Sequence, residues 1–261
     1  LAPVSAILAA LILCSMLIVW TGESVVDAYL LLFKGAFGSA FALKETLTRS
    51  VPLMLTGLAV AVAFRSKFYN IGAEGQLYAG ALAATYFGTG LVQLPPILMV
   101  PFLLLVGALA GGALLLVPVL LKTRLKVDEV VTTLLLNFIV LLVVSYLIEG
   151  PWRDPQAMGW PQAASIIDEG LLVPLLAKGR LHAGLIVALL AAVLLWAIMR
   201  FSVLGYEIKA VGFNARAAEF SGINVNRTVI ITAMISGGLA GLAGVSEVAG
   251  LKGYLTLDLS P

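Results

Sequence analysis

The sequence predicts an all-α, polytopic transmembrane helical bundle with some broken or short helices, and three observations support this fold class. Hydrophobic residues make up 61% of the 261 residues and charged residues only 11%, whereas a soluble domain is about 45–50% apolar and about 25% charged. Several apolar stretches approach the roughly 20 residues that a helix needs to cross a bilayer. Polar segments that contain Gly and Pro separate these stretches. The pattern excludes a soluble globular enzyme and a disordered chain.

Charge and side-chain chemistry exclude further classes. The 16 Lys and Arg against 14 Asp and Glu leave a net charge of +2, so no nucleic-acid partner is expected. The single cysteine, Cys14, excludes a zinc cluster, and the single histidine, His182, excludes a multi-histidine metal site. The sequence has no G-x-x-x-x-G-K-[ST] loop for ATP. We therefore expect neither a metal site nor an enzyme active site in this chain.

About seven crossings are expected, at residues 3–20, 51–64, 77–88, 95–121, 130–148, 181–199 and 228–245. The second and third are shorter than a full crossing. Residues 22–50 are amphipathic and predict a loop with one or two surface helices. Residues 149–180 predict a polar loop, and residues 200–227 form a second polar segment. Glycines four residues apart, at 107 and 111 and again at 237 and 241, predict close helix packing.

Lys and Arg in the loops predict the orientation, because cytoplasmic loops carry an excess of them. Alternation places nine on one side: Arg65, Lys67, Lys122, Arg124, Lys126, Arg200, Lys209, Arg216 and Arg227. The other seven are Lys34, Lys44, Arg49, Arg153, Lys178, Arg180 and Lys252. The segments RSK and KTRLK, both on the first side, are short and basic. That side is predicted to be cytoplasmic.

The segment FYNIGAEGQ (residues 68–76) lies between two short apolar runs and contains Asn70, Glu74 and Gln76. Broken hydrophobic segments of this kind indicate transporter sites, so these three side chains are candidates for the substrate path or a gate. Alternatively, a helix starts near Ile71 with Glu74 in its first turn, where the helix dipole favours a carboxylate. Asn137, inside an apolar span, is either a path residue or an interhelical hydrogen-bond partner.

A second segment, residues 205–223, predicts a short capped helix. Asn214 is a suitable N-cap and Gly222 a suitable C′ residue, with about seven residues between them. Such a helix is marginal alone in water, and Ala217 and Ala218 leave room for another surface to approach. The segment is either a docking element for a separate subunit or an interfacial helix on lipid headgroups.

Four stretches together resemble the permease subunits of ABC-type importers: FYNIGAEGQLYAGALAA (68–84), DEVVTTLLLN (128–137), GFNARAAEFSGI (212–223) and SGGLAGLAG (236–244). The resemblance covers residues from about 33 to 261. It is strongest to the nucleoside and simple-sugar branch of the superfamily that also holds ribose and branched-chain amino-acid permeases. It implies one transmembrane permease domain over residues 1–261, with further C-terminal helices missing after Ser260-Pro261.

The resemblance also implies a division of labour. A separate ABC ATPase subunit would bind ATP and Mg and hydrolyse ATP, and this chain would bind no cofactor. An extracytoplasmic substrate-binding lipoprotein or periplasmic protein would deliver the solute, most simply a nucleoside, then a simple sugar, then a branched-chain amino acid. A second homologous permease or a second copy would complete the channel within the lipid of a bacterial-type cytoplasmic (inner) membrane. The alternative is a secondary transporter or channel without an ATPase.

Within this scheme, residues 201–227 form a cytoplasmic coupling segment. The residues that the resemblance assigns to contact with the ATPase are Gly205, Gly212, Asn214, Ala217, Ala218, Gly222 and Ile223.

Overall fold

The computed structural model describes residues 2–176 and 179–260, with side chains from residue 4 onward. Lys178 and Pro261, named above, lie outside the described residues. The described helices are α1 (Ala2–Trp20), α2 (Val25–Phe37), α3 (Ala40–Arg65), α4 (Ala73–Gly88), α5 (Pro96–Leu125), α6 (Glu129–Glu149), α7 (Gly184–Phe201), α8 (Val203–Phe213), α9 (Ala215–Phe220) and α10 (Val225–Val245). A π-helix (Ser246–Lys252) extends α10, and a 3₁₀ turn spans Asp168–Gly170. The predicted all-α membrane bundle is confirmed.

The chain divides between Leu47 and Thr48 into two units. The first unit contains α1 and α2, which meet at an angle of 118°. The Ser24 side chain caps α2 by accepting a hydrogen bond from the backbone N–H of Asp27 at 3.3 Å. The Tyr29 hydroxyl donates to the Leu11 carbonyl at 2.5 Å and so ties the two helices together. Residues 22–50 therefore contain a helix, as predicted.

Five helices are long and apolar enough to cross a membrane, namely α3, α5, α6, α7 and α10 with its π-helical extension, and the bent α1–α2 pair raises the number to six among the described residues. This is close to the seven crossings expected. The second crossing is longer than predicted because α3 begins at Ala40 and includes charged residues that the sequence pattern assigned to a loop. The third rests on α4, which has only 16 residues, about 24 Å of helix.

The second unit is built around α4, α5 and α10. The glycines predicted to allow close packing lie where these helices touch: a Cβ atom on Gly111 would overlap the backbone of Gly237, and one on Gly80 would overlap the backbone of Gly241. Because backbone lies directly on backbone, each contact tolerates only glycine. The predicted packing role of these glycines is confirmed.

The two ends of this unit are chemically different. At one end, called the basic end, Lys67, Lys122 and Phe213 lie close together; the Lys122 Nζ donates to the Lys67 carbonyl at 3.3 Å. At the other, called the loop end, residues 150–176 pack over α4 and the π-helix: Ile167 N donates to the Gly88 carbonyl at 2.9 Å, and Leu172 N to that of Ala249 at 2.8 Å. The short basic segments thus share one end, as alternation predicts.

Candidate functional site

The crossing that contains α4 is broken at its start. After α3 ends at Arg65, residues 66–72 re-enter the bundle without helical structure, and α4 begins only at Ala73. Phe68 is completely buried in a cluster with Leu115, Val119 and Ala233. Irregular backbone among membrane helices is tolerated where protein covers it. Residues 66–88, called the broken crossing, therefore run from the basic end to the loop end although α4 is short.

A pair of amides holds the break in place. The Asn70 Nδ2 donates to Gln76 Oε1 at 2.8 Å and to Ser236 Oγ at 3.0 Å. The Asn70 Oδ1 accepts from Gln76 Nε2 at 2.9 Å and from the backbone N–H of Gly72 at 3.1 Å. Ser236, in the middle of α10, donates in turn to the Ala59 carbonyl of α3 at 2.7 Å. Asn70 therefore joins α3, α4 and α10 through one buried network.

Helix α6 supports the same break from the side. The Asn137 Oδ1 accepts from the Gly75 N–H at 2.6 Å, and the Thr133 hydroxyl accepts from the Ile71 N–H at 3.4 Å. The Glu129 carboxylate accepts from the Tyr69 N–H at 3.4 Å and forms an ion pair with Lys122. These three side chains are four residues apart and so share one face of α6. The alternative that made Asn137 a hydrogen-bond partner agrees with this geometry.

Glu74 differs from the other three candidates for the path. It is partly exposed in the first turn of α4 and makes no hydrogen bond or ion pair to a described residue. The structure brings Asn70 and Gln76 together and places Asn137 against the adjacent turn, but leaves Glu74 outside this network. Sequence reasoning did not select Glu129, Thr133 or Ser236. For the first two, the available signal was the spacing of Glu129, Thr133 and Asn137, which are four residues apart on the otherwise apolar helix α6.

The predicted coupling segment, residues 201–227, contains α8 and α9, joined at Asn214. The Asn214 side chain caps α9 by accepting from the Ala217 N–H at 3.1 Å. At the other end Gly222 has a φ of +87°, and the Ile223 N–H returns to the Ala218 carbonyl at 3.0 Å. These are the predicted N-cap and C′ features, around a helix of six residues.

Two glycines seat the coupling segment against the bundle. A Cβ atom on Gly205 would meet the backbone of Met199 at the end of α7, and one on Gly212 would overlap the carbonyl of Arg65 at the end of α3. The Lys209 Nζ donates to the Met199 carbonyl at 2.5 Å and ties α8 to α7. Helix α8 is therefore held against both spans, and Gly212 contacts the chain at the point where the broken crossing starts.

The two alanines of α9 that the sequence predicted to contact a partner, Ala217 and Ala218, face opposite ways. Ala217 is exposed, whereas Ala218 is only 4% exposed and packs with Val211 and Val229 inside the chain. Ala218 is thus not available to a second surface. The most accessible apolar side chains here are Phe213, 84% exposed, and Phe220, 96% exposed. Sequence reasoning did not select them, although both are aromatic residues that end short helices.

Basic groups surround this exposed segment. A cleft of 480 Å³ lies beside it, and its lining includes Lys67, Lys122, Asn214 and Arg216. Lys67 belongs to the broken crossing, and Lys122 lies in the last turn of α5. The cleft therefore connects the predicted coupling segment to the start of the broken crossing, and its lining includes the cations Lys67, Lys122 and Arg216.

The loop end has its own polar features. A cavity of 720 Å³ is lined by Trp160, Gln162, Tyr254, Asp258 and other side chains. The Lys252 Nζ forms an ion pair with Asp258 at 2.8 Å, and its hydrogen bond to the carboxylate lowers the pKa of Asp258. The sequence pattern did not predict this cavity, because its walls come from places far apart in the chain: Arg49 on α3, residues 160–162, Arg180 and residues 251–258.

His182 lies at the same end, just before α7, and is 1% exposed. Its Nδ1 accepts from the Gly184 N–H at 3.1 Å, and Nε2 has no partner among the described residues. Burial lowers the pKa of this imidazole. Within residues 2–176 and 179–260 no cluster of three His, Cys, Asp or Glu side chains could hold a metal.

Comparison with known proteins places these features in a family. Residues 42–256 match the model of the branched-chain amino acid transport system / permease component family. The chain is 38% identical to the guanosine ABC transporter permease protein NupP of Bacillus subtilis, over 97% of this chain and 73% of that protein. It is 35% identical to the glucose ABC transporter permease protein TsgB13 of Haloferax volcanii, over 99% and 70%.

A third relative is the nucleoside ABC transporter permease protein NupB of Lactococcus lactis, at 34% identity over 94% of this chain and 69% of the relative. No solved structure matches the chain significantly. An ABC permease family implies an ATPase partner and a substrate-binding protein. The chain is a multi-pass membrane protein that belongs to the permease component family, and within it to the ABC importer permeases of the nucleoside and sugar branch.

Proposed function

We propose that this permease subunit forms part of the import path for a nucleoside or, as the second candidate solute, a simple sugar. We also propose that an ATPase subunit drives the transport by acting on the coupling segment. The observation that carries the proposal is the geometry of α8 and α9. Helix α8 is seated on two spans and the short helix α9 is capped at both ends, and each of them ends in an exposed phenylalanine at the basic end. Exposed aromatic side chains on a rigid element are typical anchors of a protein interface.

The contacts suggest how force would reach the path. Movement of α9 would pass to α8 through their shared cap residue, Asn214. Because the Gly212 backbone abuts the Arg65 carbonyl, α8 would then push on the start of the broken crossing. The network around Asn70 ties that crossing to α3, α4 and α10. A rigid-body push on one short helix would thus shift several spans together.

The docking role is tested with the permease, its ATPase and its binding protein reconstituted in liposomes. Phe213→Asp, Phe220→Asp and Ala217→Arg each place charge or bulk on the exposed surface. We expect a roughly tenfold or greater loss of stimulated ATPase activity and uptake, as for loss of an interface anchor. Leu125→Asp is the matched control, since Leu125 is an exposed apolar residue outside the segment. Unchanged activity in all three variants would contradict docking.

The solute is proposed from the relatives and from the cavity at the loop end. The relatives' names include guanosine, nucleoside and glucose. The cavity combines aromatic faces with amide, carboxylate and cationic groups, which suits both stacking on a base and hydrogen bonding to sugar hydroxyls. Uptake of radiolabelled nucleosides, sugars and branched-chain amino acids identifies the solute. Competition by nucleosides is the expected result, and transport of leucine alone would reject it.

The remaining assignments follow from the same proposal. ATP and Mg would bind to the ATPase subunit and not to this chain. A second homologous permease or a second copy would complete the path in the cytoplasmic (inner) membrane, and a lipoprotein or periplasmic protein would deliver the solute at the loop end. Co-purification from mild detergent tests these partners directly. A permease that transports alone, without ATP hydrolysis, would instead be a secondary transporter or channel.

A further inference from the structure

A groove of 350 Å³ separates α3 from α7 near the basic end. Its walls are apolar and are formed mainly by Leu58, Ala61, Val62, Ala192, Leu195 and Met199. Helix α7 is the least buried of the five spans, and the α7 residues on either side of this wall, such as Val193 and Leu194, are exposed. The groove therefore lies on the outer surface of this chain and not among its central helices.

The mouth of the groove is cationic. Arg65 at the end of α3, Arg200 in the last turn of α7 and Lys209 on α8 line it together. Arg65 and Arg200 are exposed and make no hydrogen bond or ion pair to any described residue. Among the described side chains that line the groove there is no acid. The nearest acid on α8, Glu207, accepts instead from the Thr228 hydroxyl on α10.

A second cleft continues the cationic mouth toward the coupling segment. It has a volume of 250 Å³ and shares Arg65 and Lys209 with the groove while adding Lys67 and Phe213. Trp196 lines the groove one turn before Arg200. Tryptophan favours the boundary between the apolar core of a membrane and its headgroups. The arrangement therefore has an apolar part, an interfacial aromatic residue and a cationic end, in that order along the helix axes.

This order matches one kind of ligand. An anionic phospholipid has an acyl chain for the apolar wall and a phosphate for the two guanidinium groups, which bind phosphate through paired N–H donors. Basic pockets between membrane helices on the cytoplasmic side bind such headgroups. We propose that the groove between α3 and α7 binds an anionic phospholipid, and that the bound lipid stabilises the junction of α7 with α8, which Lys209 and Met199 form.

The test uses the full-length permease, purified and placed in nanodiscs or detergent with defined lipids. Phosphatidylglycerol and phosphatidylcholine are compared by native mass spectrometry and by thermal unfolding. The wild type should retain phosphatidylglycerol preferentially and unfold at a higher temperature in its presence. The double variant Arg65→Gln/Arg200→Gln should bind it roughly 10- to 30-fold more weakly. Its unfolding temperature in phosphatidylcholine should equal that of the wild type, which excludes a general folding defect.

Matched variants test whether the groove itself, and not the overall positive charge of the basic end, selects the lipid. Arg124→Gln/Lys126→Gln removes two exposed cations outside the groove at the same end and should leave binding within about threefold of wild type. Ala61→Trp fills the wall and should weaken binding without changing charge. Equal affinity for the two lipids, or an equal loss in the Arg124/Lys126 control, would overturn the proposal.

Two further outcomes would also overturn it. Glycerol phosphate shares the headgroup chemistry but lacks acyl chains; stabilisation by it equal to that by phosphatidylglycerol would mean a simple anion site. A photo-crosslinking residue at position 61 should capture lipid. Capture of a second permease subunit there, in place of lipid, would identify the groove as a protein interface.

Discussion

Asn70 uses both amide hydrogens and accepts two hydrogen bonds, so the side chain has no capacity left for a solute in this conformation. Its role here is to fix irregular backbone within the bundle. Asn70→Ala removes all four bonds and leaves Gln76 and Ser236 buried with fewer partners. Each buried group left unpaired costs about 1–3 kcal/mol. We therefore expect a clear drop in unfolding temperature, measured by thermal denaturation in detergent or nanodiscs.

Glu74→Gln is the control for Asn70→Ala, because Glu74 lies only four residues further along the chain. Because Glu74 is partly exposed and makes no hydrogen bond or ion pair to a described residue, this change should leave the unfolding temperature unchanged. If Glu74 lines the solute path, uptake by Glu74→Gln will still change. An unfolding temperature for Asn70→Ala equal to that of Glu74→Gln would contradict the structural role assigned to the amide pair.

His182 predicts a pH dependence of stability. The folded chain favours the neutral imidazole more than the unfolded chain does, since burial lowers the pKa of His182 and its Nδ1 accepts a hydrogen bond from Gly184. The unfolded chain takes up a proton near the ordinary pKa of about 6.5. Acidification from about pH 7.5 to about pH 5.5 therefore favours the unfolded chain and lowers the free energy of unfolding.

His182→Asn isolates this effect, because an amide oxygen can accept the same hydrogen bond but does not titrate. The unfolding temperature of the wild type should fall more over this acidification than that of His182→Asn. His182 is the single histidine of the sequence, so no other imidazole contributes. Parallel pH profiles for the two proteins would show that the buried imidazole does not control acid stability.

Among the helices, α5 and α10 pack most closely, and their glycines set the distance between them. A Cβ atom on Gly241 would overlap the Gly107 carbonyl. Gly241→Ala should therefore destabilise the bundle by about 1–3 kcal/mol, the usual cost of overpacking. Gly57→Ala is the matched control, since a Cβ on exposed Gly57 in α3 has no neighbour within 4 Å. It should be neutral or slightly stabilising. Equal losses would contradict the packing argument.

Helix α9 shows what local sequence signals can and cannot define. Its two caps are local features, because Asn214 and Gly222 act on backbone groups within three or four residues. They correctly predicted where the helix begins and ends. They could not predict that Ala218 turns inward while Phe220 is exposed, since this depends on where α10 and α8 lie. The surface that we propose for docking is therefore aromatic, whereas the alanine content predicted a surface of small side chains.

For the bundle overall, charge alternation predicts that the basic end is cytoplasmic and the loop end is external. Single cysteines in a Cys14→Ser background test this with a membrane-impermeant thiol reagent on intact cells. A cysteine at exposed Met158, in the loop between α6 and α7, should react. One at exposed Lys126, after α5, should react only after permeabilisation. The reverse labelling pattern would invert the orientation and place α9 outside the cell.

Composition, periodic apolar stretches and helix caps were sufficient to predict a helical membrane bundle, its break near Asn70 and its short capped helix. Each of these depends on residues close together in the chain, where propensity and capping act. Local signals could not predict which residues hydrogen-bond to the broken segment. Ser236 contacts Asn70 from 166 residues away in the sequence, and Asn137 contacts Gly75 from 62 residues away. The groove between α3 and α7 likewise exists only because distant spans pack side by side. Those features depend on which helices touch, and only the folded chain decides that.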